Sequence, residues 1–130
     1  MSTLAVGTIK SISSAAPVFQ NSSGTEIGSL PKMWIFFDMN AGSIKDSLNV
    51  SSITDDGTGL FTVTYSSAFS NTNYCILSGQ ASKITDDSDN RYISRVIDRA
   101  TTNMQVEHNF IENGTGNRFD SRFMYFAVLA

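Results

Sequence analysis

The feature that most constrains the fold is a turn between two strand-like runs, in the stretch NVSSITDDGTGLFTVTY at residues 49–65. In the second run, Phe61, Val63 and Tyr65 alternate with polar or small residues, which is the period-two pattern of a strand with one buried face. The Asp-Asp-Gly-Thr-Gly segment between the runs supplies the positive-φ positions that a tight hairpin connection requires. The sequence therefore predicts a β-hairpin whose second strand has one face in the core.

The rest of the chain continues this pattern of short apolar runs separated by turn signals. Residues 33–38 and 119–129 include runs that are apolar on both faces, which favours central strands of a packed sheet. Alternate positions are apolar over residues 103–111, and a Gly-rich turn signal follows at 113–117. No segment shows a convincing amphipathic helix. The sequence predicts an all-β fold, an antiparallel β-sandwich or jelly-roll-like domain of about seven or eight strands.

The first 32 residues differ in composition from those that follow. They are rich in Ser, Thr, Gly and Ala and contain both prolines, and Pro31 marks a boundary because proline cannot donate to a strand ladder. This segment is either a flexible leader or an extended arm that becomes ordered against neighbouring subunits. We favour the arm, because its apolar side chains would be exposed in a monomer. The prediction is an extended N-terminal arm at 1–32 and a β-sandwich domain at 33–130. The candidate assembly contacts in the arm are Leu4, Val6, Ile9, Ile12 and Phe19.

Composition narrows the classes of partner. The net charge of −3 argues against nucleic acid or an anionic membrane as a ligand, since both attract basic patches. No run approaches the roughly 20 apolar residues of a membrane span, and we expect neither a signal peptide nor membrane insertion. Cys75 is the single cysteine, so an intrachain disulfide is impossible and a buried thiol on a strand is the expected state.

The residues that could perform chemistry do not form a catalytic pattern. His108, the single histidine, falls on the apolar face of its predicted strand, which is typical of a hydrogen-bonded structural role, with a general base as the alternative. The acidic run at 86–90 resembles the start of a calcium loop, but Arg91 and Ile97 stand where an EF-hand has Gly and Glu. We expect no enzyme, no cofactor and a solvated acidic loop, with a weak calcium site at that loop left open.

Arginine supplies most of the positive charge in the C-terminal half. At period two, Arg95 and Arg99 share a face of their predicted strand with Ile93 and Ile97. We expect these arginines to form ion pairs across strands or between subunits, and recognition of an acidic ligand is the alternative. Their candidate partners are Asp98, Glu107 and Asp120.

Recognition of a ligand on a sandwich of this kind is expected in the polar loops, because loops on a rigid scaffold carry function. Trp34 lies in a run that is too apolar for a surface, so we expect its side chain in the core. The candidate recognition residues are Asp55, Asp56, Asn71, Asn73, Asp86, Asp87, Asp89, Arg91, Tyr92 and Asn117.

Three stretches together resemble a small β domain that recurs in virion structural proteins of tailed bacteriophages, notably the tail-fibre-like proteins of marine phages. They are the aromatic run MWIFFD at 33–38, the hairpin at 49–65, and the Asn-Tyr pair at 73–74 that opens the next strand. The upstream NSSGTEIGSLPK and the opening MSTLAVGTIKS are also similar to that family. The resemblance is close from about residue 19 to residue 79 and weakens after that.

This resemblance implies a virion protein of the tail-fibre or attachment type, made in the host cytoplasm. The partners that it implies are further copies of the chain in a homotrimer, other virion proteins, and a glycan or protein of the host surface bound through the loops. Two alternatives stay open. One is a capsid-decoration or head-fibre protein, which needs no receptor, and the other is a stand-alone carbohydrate-binding module.

Overall fold

The computed structural model describes residues 8–9, 18–81, 91–112, 115–120 and 123–130. All regular elements in these ranges are β-strands, which confirms the predicted all-β fold, and the chain divides into two compact units between Leu30 and Pro31. The described ranges contain eleven strands, more than the expected seven or eight, because two short strands precede the sandwich and residues 115–118 form a further short strand. The strands are β1 (Val18–Gln20), β2 (Glu26–Ser29), β3 (Met33–Asp38), β4 (Ser43–Leu48), β5 (Val50–Gly57), β6 (Leu60–Tyr65), β7 (Cys75–Ala81), β8 (Arg91–Arg99), β9 (Asn103–Glu112), β10 (Thr115–Arg118) and β11 (Phe123–Leu129).

The first unit contains a short antiparallel hairpin of β1 and β2. The side-chain oxygen of Asn21 organises its turn by accepting hydrogen bonds from the backbone amides of Ser23 and Thr25, at 3.0 and 2.9 Å. Gly24 adopts a φ of 81° in this turn, a conformation that glycine takes without steric cost. Among the candidate assembly contacts, Ile9 and Phe19 are exposed, whereas Leu4, Val6 and Ile12 lie outside the described residues.

The second unit is a sandwich of two antiparallel sheets. One sheet has four strands in the order β4-β3-β11-β7. The other has five: β10, β9, β6 and β5 follow one another, and β8 also pairs with β9. Because β6 pairs with residues 103–107 of β9 and β10 pairs with residues 109–112, these two strands follow one another along one side of β9 while β8 occupies the other side.

The core lies between the inner faces of the two sheets. Every second residue of the four central strands contributes to it, as the period-two pattern requires. Across the sheets, the rings of Phe37 on β3 and Phe61 on β6 have centroids 5.8 Å apart. The buried apolar residues are Met33, Ile35, Phe37, Met39, Phe61, Val63, Tyr65, Tyr74, Met104, Val106, Met124, Phe126 and Val128.

The predicted hairpin at 49–65 is confirmed as strands β5 and β6. Gly57 and Gly59 both have positive φ values, of 126° and 65°. Gly59 is required for a second reason, because a Cβ there would lie 2.5 Å from the carbonyl oxygen of His108 and 2.6 Å from the amide nitrogen of Phe119. The backbones of the hairpin, of β9 and of the segment after β10 therefore approach each other at this glycine.

Two predictions about the core are wrong. Strands β3 and β11 are central in their sheet, as expected from their apolar faces, but only one face of each meets the other sheet. Trp34 alternates with the buried Met33 and Ile35 and therefore lies on the outer face, half-buried. Cys75 is exposed rather than buried.

Candidate functional site

Over strands β3, β11 and β7 the outer face of the four-stranded sheet is apolar and is not covered by other described residues of this unit, while the exposed Asp46 of the edge strand β4 lies opposite Phe36. Leu77 on β7 and Tyr125 on β11 are 54% and 48% exposed, and together with Trp34 and Phe36 on β3 they line a shallow groove of about 250 Å³. We call this surface the apolar face. No described side chain that β3, β7 or β11 places on the apolar face is charged, apart from the end of β3 at Asp38.

The groove depends on close packing within the apolar face. The ring of Tyr125 lies directly over Gly79 on the neighbouring strand, where any side chain would collide with it. The rings of Phe36 and Phe123 also pack together, with centroids 5.3 Å apart. The aromatic side chains of the apolar face are therefore held by their neighbours and form a defined surface.

The outer face of the five-stranded sheet is polar, and its centre is the carboxylate of Glu107 on β9. This side chain is buried, with the residue only 5% exposed, and each of its two oxygens accepts a hydrogen bond from a different arginine. The Nε of Arg95 lies 2.6 Å from Oε2, and the Nε of Arg118 lies 2.8 Å from Oε1. We call these three residues the arginine–glutamate cluster.

Strand register brings the cluster together. Arg95 on β8 is directly opposite Glu107, and Arg118 on β10 is opposite Asn109, which is the next residue on the same face of β9. The ion pair of Arg95 with Glu107 was predicted and is confirmed, and it forms across strands of one chain. The participation of Arg118 was not predicted, because it depends on how the β9–β10 hairpin is registered.

The two arginines keep the carboxylate ionised. Their hydrogen bonds, above all that from Arg118, outweigh the effect of burial and lower the pKa of Glu107 from 4.5 to about 2. The side chain of Asn109 also hydrogen-bonds to this carboxylate and acts in the same direction. At neutral pH the cluster thus carries two positive charges and one negative charge.

A concave surface of about 400 Å³ lies over the arginine–glutamate cluster. The two guanidinium groups border it, at 64% and 49% side-chain exposure for Arg95 and Arg118. Its remaining lining residues are Ile93, Asn109 and Gly116. It therefore combines exposed cations, an amide and an apolar side chain.

His108 follows Glu107 in the chain but faces the opposite side of the sheet, into the core. Its Nδ1 lies 3.0 Å from the hydroxyl of Ser94, and burial lowers its pKa from 6.5 to about 4, against the opposing effect of Asp120. Its backbone amide donates to Gly59 and its carbonyl accepts from the amide of Phe119. These contacts confirm that His108 is hydrogen-bonded and lies on the core face of its strand, as predicted.

The predicted recognition residues of the hairpin serve partly to build the structure. Asp55 accepts a hydrogen bond from the amide of Gly57 at 2.9 Å and so stabilises the turn. Asp56 accepts from Thr62 at 2.6 Å and from Gln105 at 3.1 Å, which places it on the same sheet face as Glu107. Asp55 and Asp56 lie in strand β5, not in a loop.

The other candidates are distributed over one loop and two strands. Asn71 and Asn73 share an exposed turn, in which the Asn71 side chain accepts a hydrogen bond from the Asn73 amide at 2.8 Å. Asn117 lies in strand β10, which corrects its expected place in a loop, and Arg91 and Tyr92 open strand β8. Tyr92 and Asn117 pair with the same residue of β9 from its two sides. Asp86, Asp87 and Asp89 lie outside the described residues.

The sequence analysis identified neither the apolar face nor the concave surface over the arginine–glutamate cluster. Glu107 carried a usable signal, because it is a carboxylate on a predicted strand beside a second strand rich in arginine. The apolar face carried another, because strands that are apolar on both sides have one face left over when only one side packs on a second sheet.

Comparison with protein-family models, with curated proteins and with solved structures finds no match for this chain. Within the described ranges, no helix is long and apolar enough to cross a membrane. The same part of the chain contains no group of three or more His, Cys, Asp and Glu side chains placed to hold a metal ion.

Proposed function

We propose that the protein is a structural component of a tailed-phage virion, of the tail-fibre or attachment type, and that it works as a homo-oligomer. The resemblance of residues 19–79 to virion β domains supports the location. The apolar face supports assembly, and it is the observation that carries the proposal of a homo-oligomer. The core of the sandwich lies between the inner faces of its two sheets, so the apolar face does not contribute to that core.

The occupant proposed for the apolar face is another copy of the same chain. Leu77 and Tyr125 are about half exposed on a surface whose central strands carry no charge along the groove. A charged partner surface would lose hydration there without gaining an ion pair, whereas a second apolar face loses nothing. Identical copies also supply this complementary surface at every site of a symmetric assembly.

Self-association is tested by sedimentation velocity of the full chain over a range of concentrations. We expect concentration-dependent assembly that Leu77→Asp weakens at least tenfold, because a carboxylate would be buried in an apolar contact. Ile97→Asp is the matched control, since it adds the same charge at an exposed apolar residue of the other sheet. A wild-type chain that stays monomeric up to about 1 mM would refute assembly, since an association of only about −4 kcal/mol would be visible there.

The location is tested by immunogold labelling of the virions whose genome encodes the chain, with an antibody raised against the full-length protein. Label at the tail or its fibres supports the attachment type. Label over the capsid contradicts that type and identifies a decoration protein. Absence of the chain from purified virions on an immunoblot would overturn the virion assignment altogether.

A further inference from the structure

The concave surface over the arginine–glutamate cluster has the construction of a binding site for an anion. Arg95 and Arg118 each use the Nε atom to hold Glu107, one on each carboxylate oxygen. Within the part of the chain that the structure describes, their terminal Nη atoms make no further hydrogen bond. Two guanidinium groups are thus held in place at one end while their outer nitrogen atoms remain available to a ligand.

The three charged side chains of the cluster leave one positive charge without a negative partner inside it. Glu107 neutralises one of the two guanidinium groups and stays ionised at neutral pH, so the cluster has a net charge of +1 on a protein whose net charge is −3. The planar fork of arginine matches the geometry of carboxylate, sulfate and phosphate groups. Because Glu107 already fixes the two side chains, a ligand does not bear the full entropic cost of ordering them.

The remaining residues that line the concave surface indicate the class of ligand molecule to which the anionic group belongs. Ile93 offers an exposed apolar side chain next to the amide of Asn109 and the bare backbone of Gly116. The volume of about 400 Å³ is within the range of small-molecule sites. A sugar ring has an apolar face that fits against such a side chain and hydroxyl groups that fit an amide.

We propose that Arg95 and Arg118 form a binding site for an acidic sugar, with Glu107 as the residue that positions both guanidinium groups. The acidic group of the sugar lies between the outer nitrogen atoms of the two arginines, and its ring lies toward Ile93. This inference deepens the proposed attachment function by naming the class of receptor, and it rests on that function only for its biological setting. It moves recognition from the loops to the outer face of the five-stranded sheet.

The experiment is an NMR titration of the full chain with a uronic acid oligosaccharide at constant ionic strength. We expect backbone amide shifts concentrated at residues 93–95, 107–109 and 116–118, with a Kd of about 1 mM or tighter. The neutral oligosaccharide of the same length is expected to bind at least tenfold more weakly. A sulfated oligosaccharide that binds equally well supports the site and shows that charge is the recognised feature, whereas acetate that binds as well as the uronic acid overturns the sugar assignment.

Variants decide whether these residues form the site. Arg118→Ala should weaken uronic acid binding at least tenfold, and Lys45→Ala, which removes one positive charge from the four-stranded sheet, should leave the Kd unchanged. Arg118→Ala also removes an ion-pair partner of the buried Glu107 and can therefore lower stability. Gly116→Leu is a second variant that leaves both arginines in place. A Cβ at Gly116 meets no atom within 4 Å, so this substitution should fill the concave surface and abolish binding with an unchanged melting temperature.

Two results would refute the proposal: no amide shift at these residues with any acidic sugar, or equal Kd values for the wild type, Arg118→Ala and Gly116→Leu. Neither result would affect the immunoblot or the labelling of virions. The failure of this site is therefore distinguishable from a failure of the virion assignment.

Discussion

The contribution of Glu107 to stability can be worked out from its surroundings and tested by one substitution. Glu107→Gln keeps the size of the side chain but removes the charge that two guanidinium groups share. A pKa of about 2 instead of 4.5 corresponds to roughly 3 kcal/mol in favour of the ionised form. Both arginines are half exposed or more, and solvent screening of exposed pairs reduces the expected loss to about 1–2 kcal/mol at pH 7.

The pH dependence follows from the direction of the pKa shift. A carboxyl group whose pKa is lower in the folded state stabilises the fold above pH 4.5, and this contribution disappears as the pH falls from about 4.5 to about 2. Glu107→Gln should therefore be less stable than the wild type at pH 7, and the difference should shrink toward zero as the pH falls through this window.

Urea unfolding at a series of pH values measures this difference. Asp46→Asn is the matched control, because Asp46 is exposed and its only hydrogen bond within the described ranges is the one that it accepts from the amide of the next residue. We expect the control to follow the wild-type curve. If Glu107→Gln stays parallel to the wild type from pH 7 to pH 2.5, the carboxylate does not stabilise the fold through its arginines and the reasoning fails.

Three further predictions concern the backbone, the core and the buried histidine. Gly59→Ala should lower the free energy of unfolding by at least about 2 kcal/mol more than Gly42→Ala, since both glycines have a φ near 60° but only the Cβ at position 59 would collide with backbone atoms; equal urea midpoints would contradict this. Phe37→Ala should cost about 3–5 kcal/mol in the same assay and Phe36→Ala less than about 2, because only Phe37 is fully buried, and the reverse order would mean that the faces of β3 are misassigned. The imidazole of His108 should titrate near pH 4 in NMR spectra and remain neutral at pH 6, because burial favours its uncharged form; a midpoint near 6.5 would contradict its burial. The fold should lose stability as the pH falls from 6.5 to 4, because the unfolded chain binds a proton at this imidazole before the folded chain does.

The sequence by itself determined the all-β class, the hairpin at residues 49–65 and the buried face of its second strand. Alternation of apolar and polar residues is a property of positions two apart, so the buried set Phe61, Val63 and Tyr65 could be read directly from the chain. The turn at Gly57 and Gly59 could be read in the same way, because a positive φ is a local requirement.

Only the tertiary structure decided which apolar faces are covered and which charges meet. Strands β3 and β11 are apolar on both sides, and no local pattern says which side packs against the second sheet, so the expectation that Trp34 on β3 lies in the interior is wrong. The expectation for Cys75 on β7 is wrong as well, because this residue lies on an exposed face. Arg95 and Arg118 both bind the carboxylate of Glu107, and this depends on the registers of β8 and β10 against β9. Register is set by pairing between residues that are distant in the chain, and alternation along one strand contains no information about it.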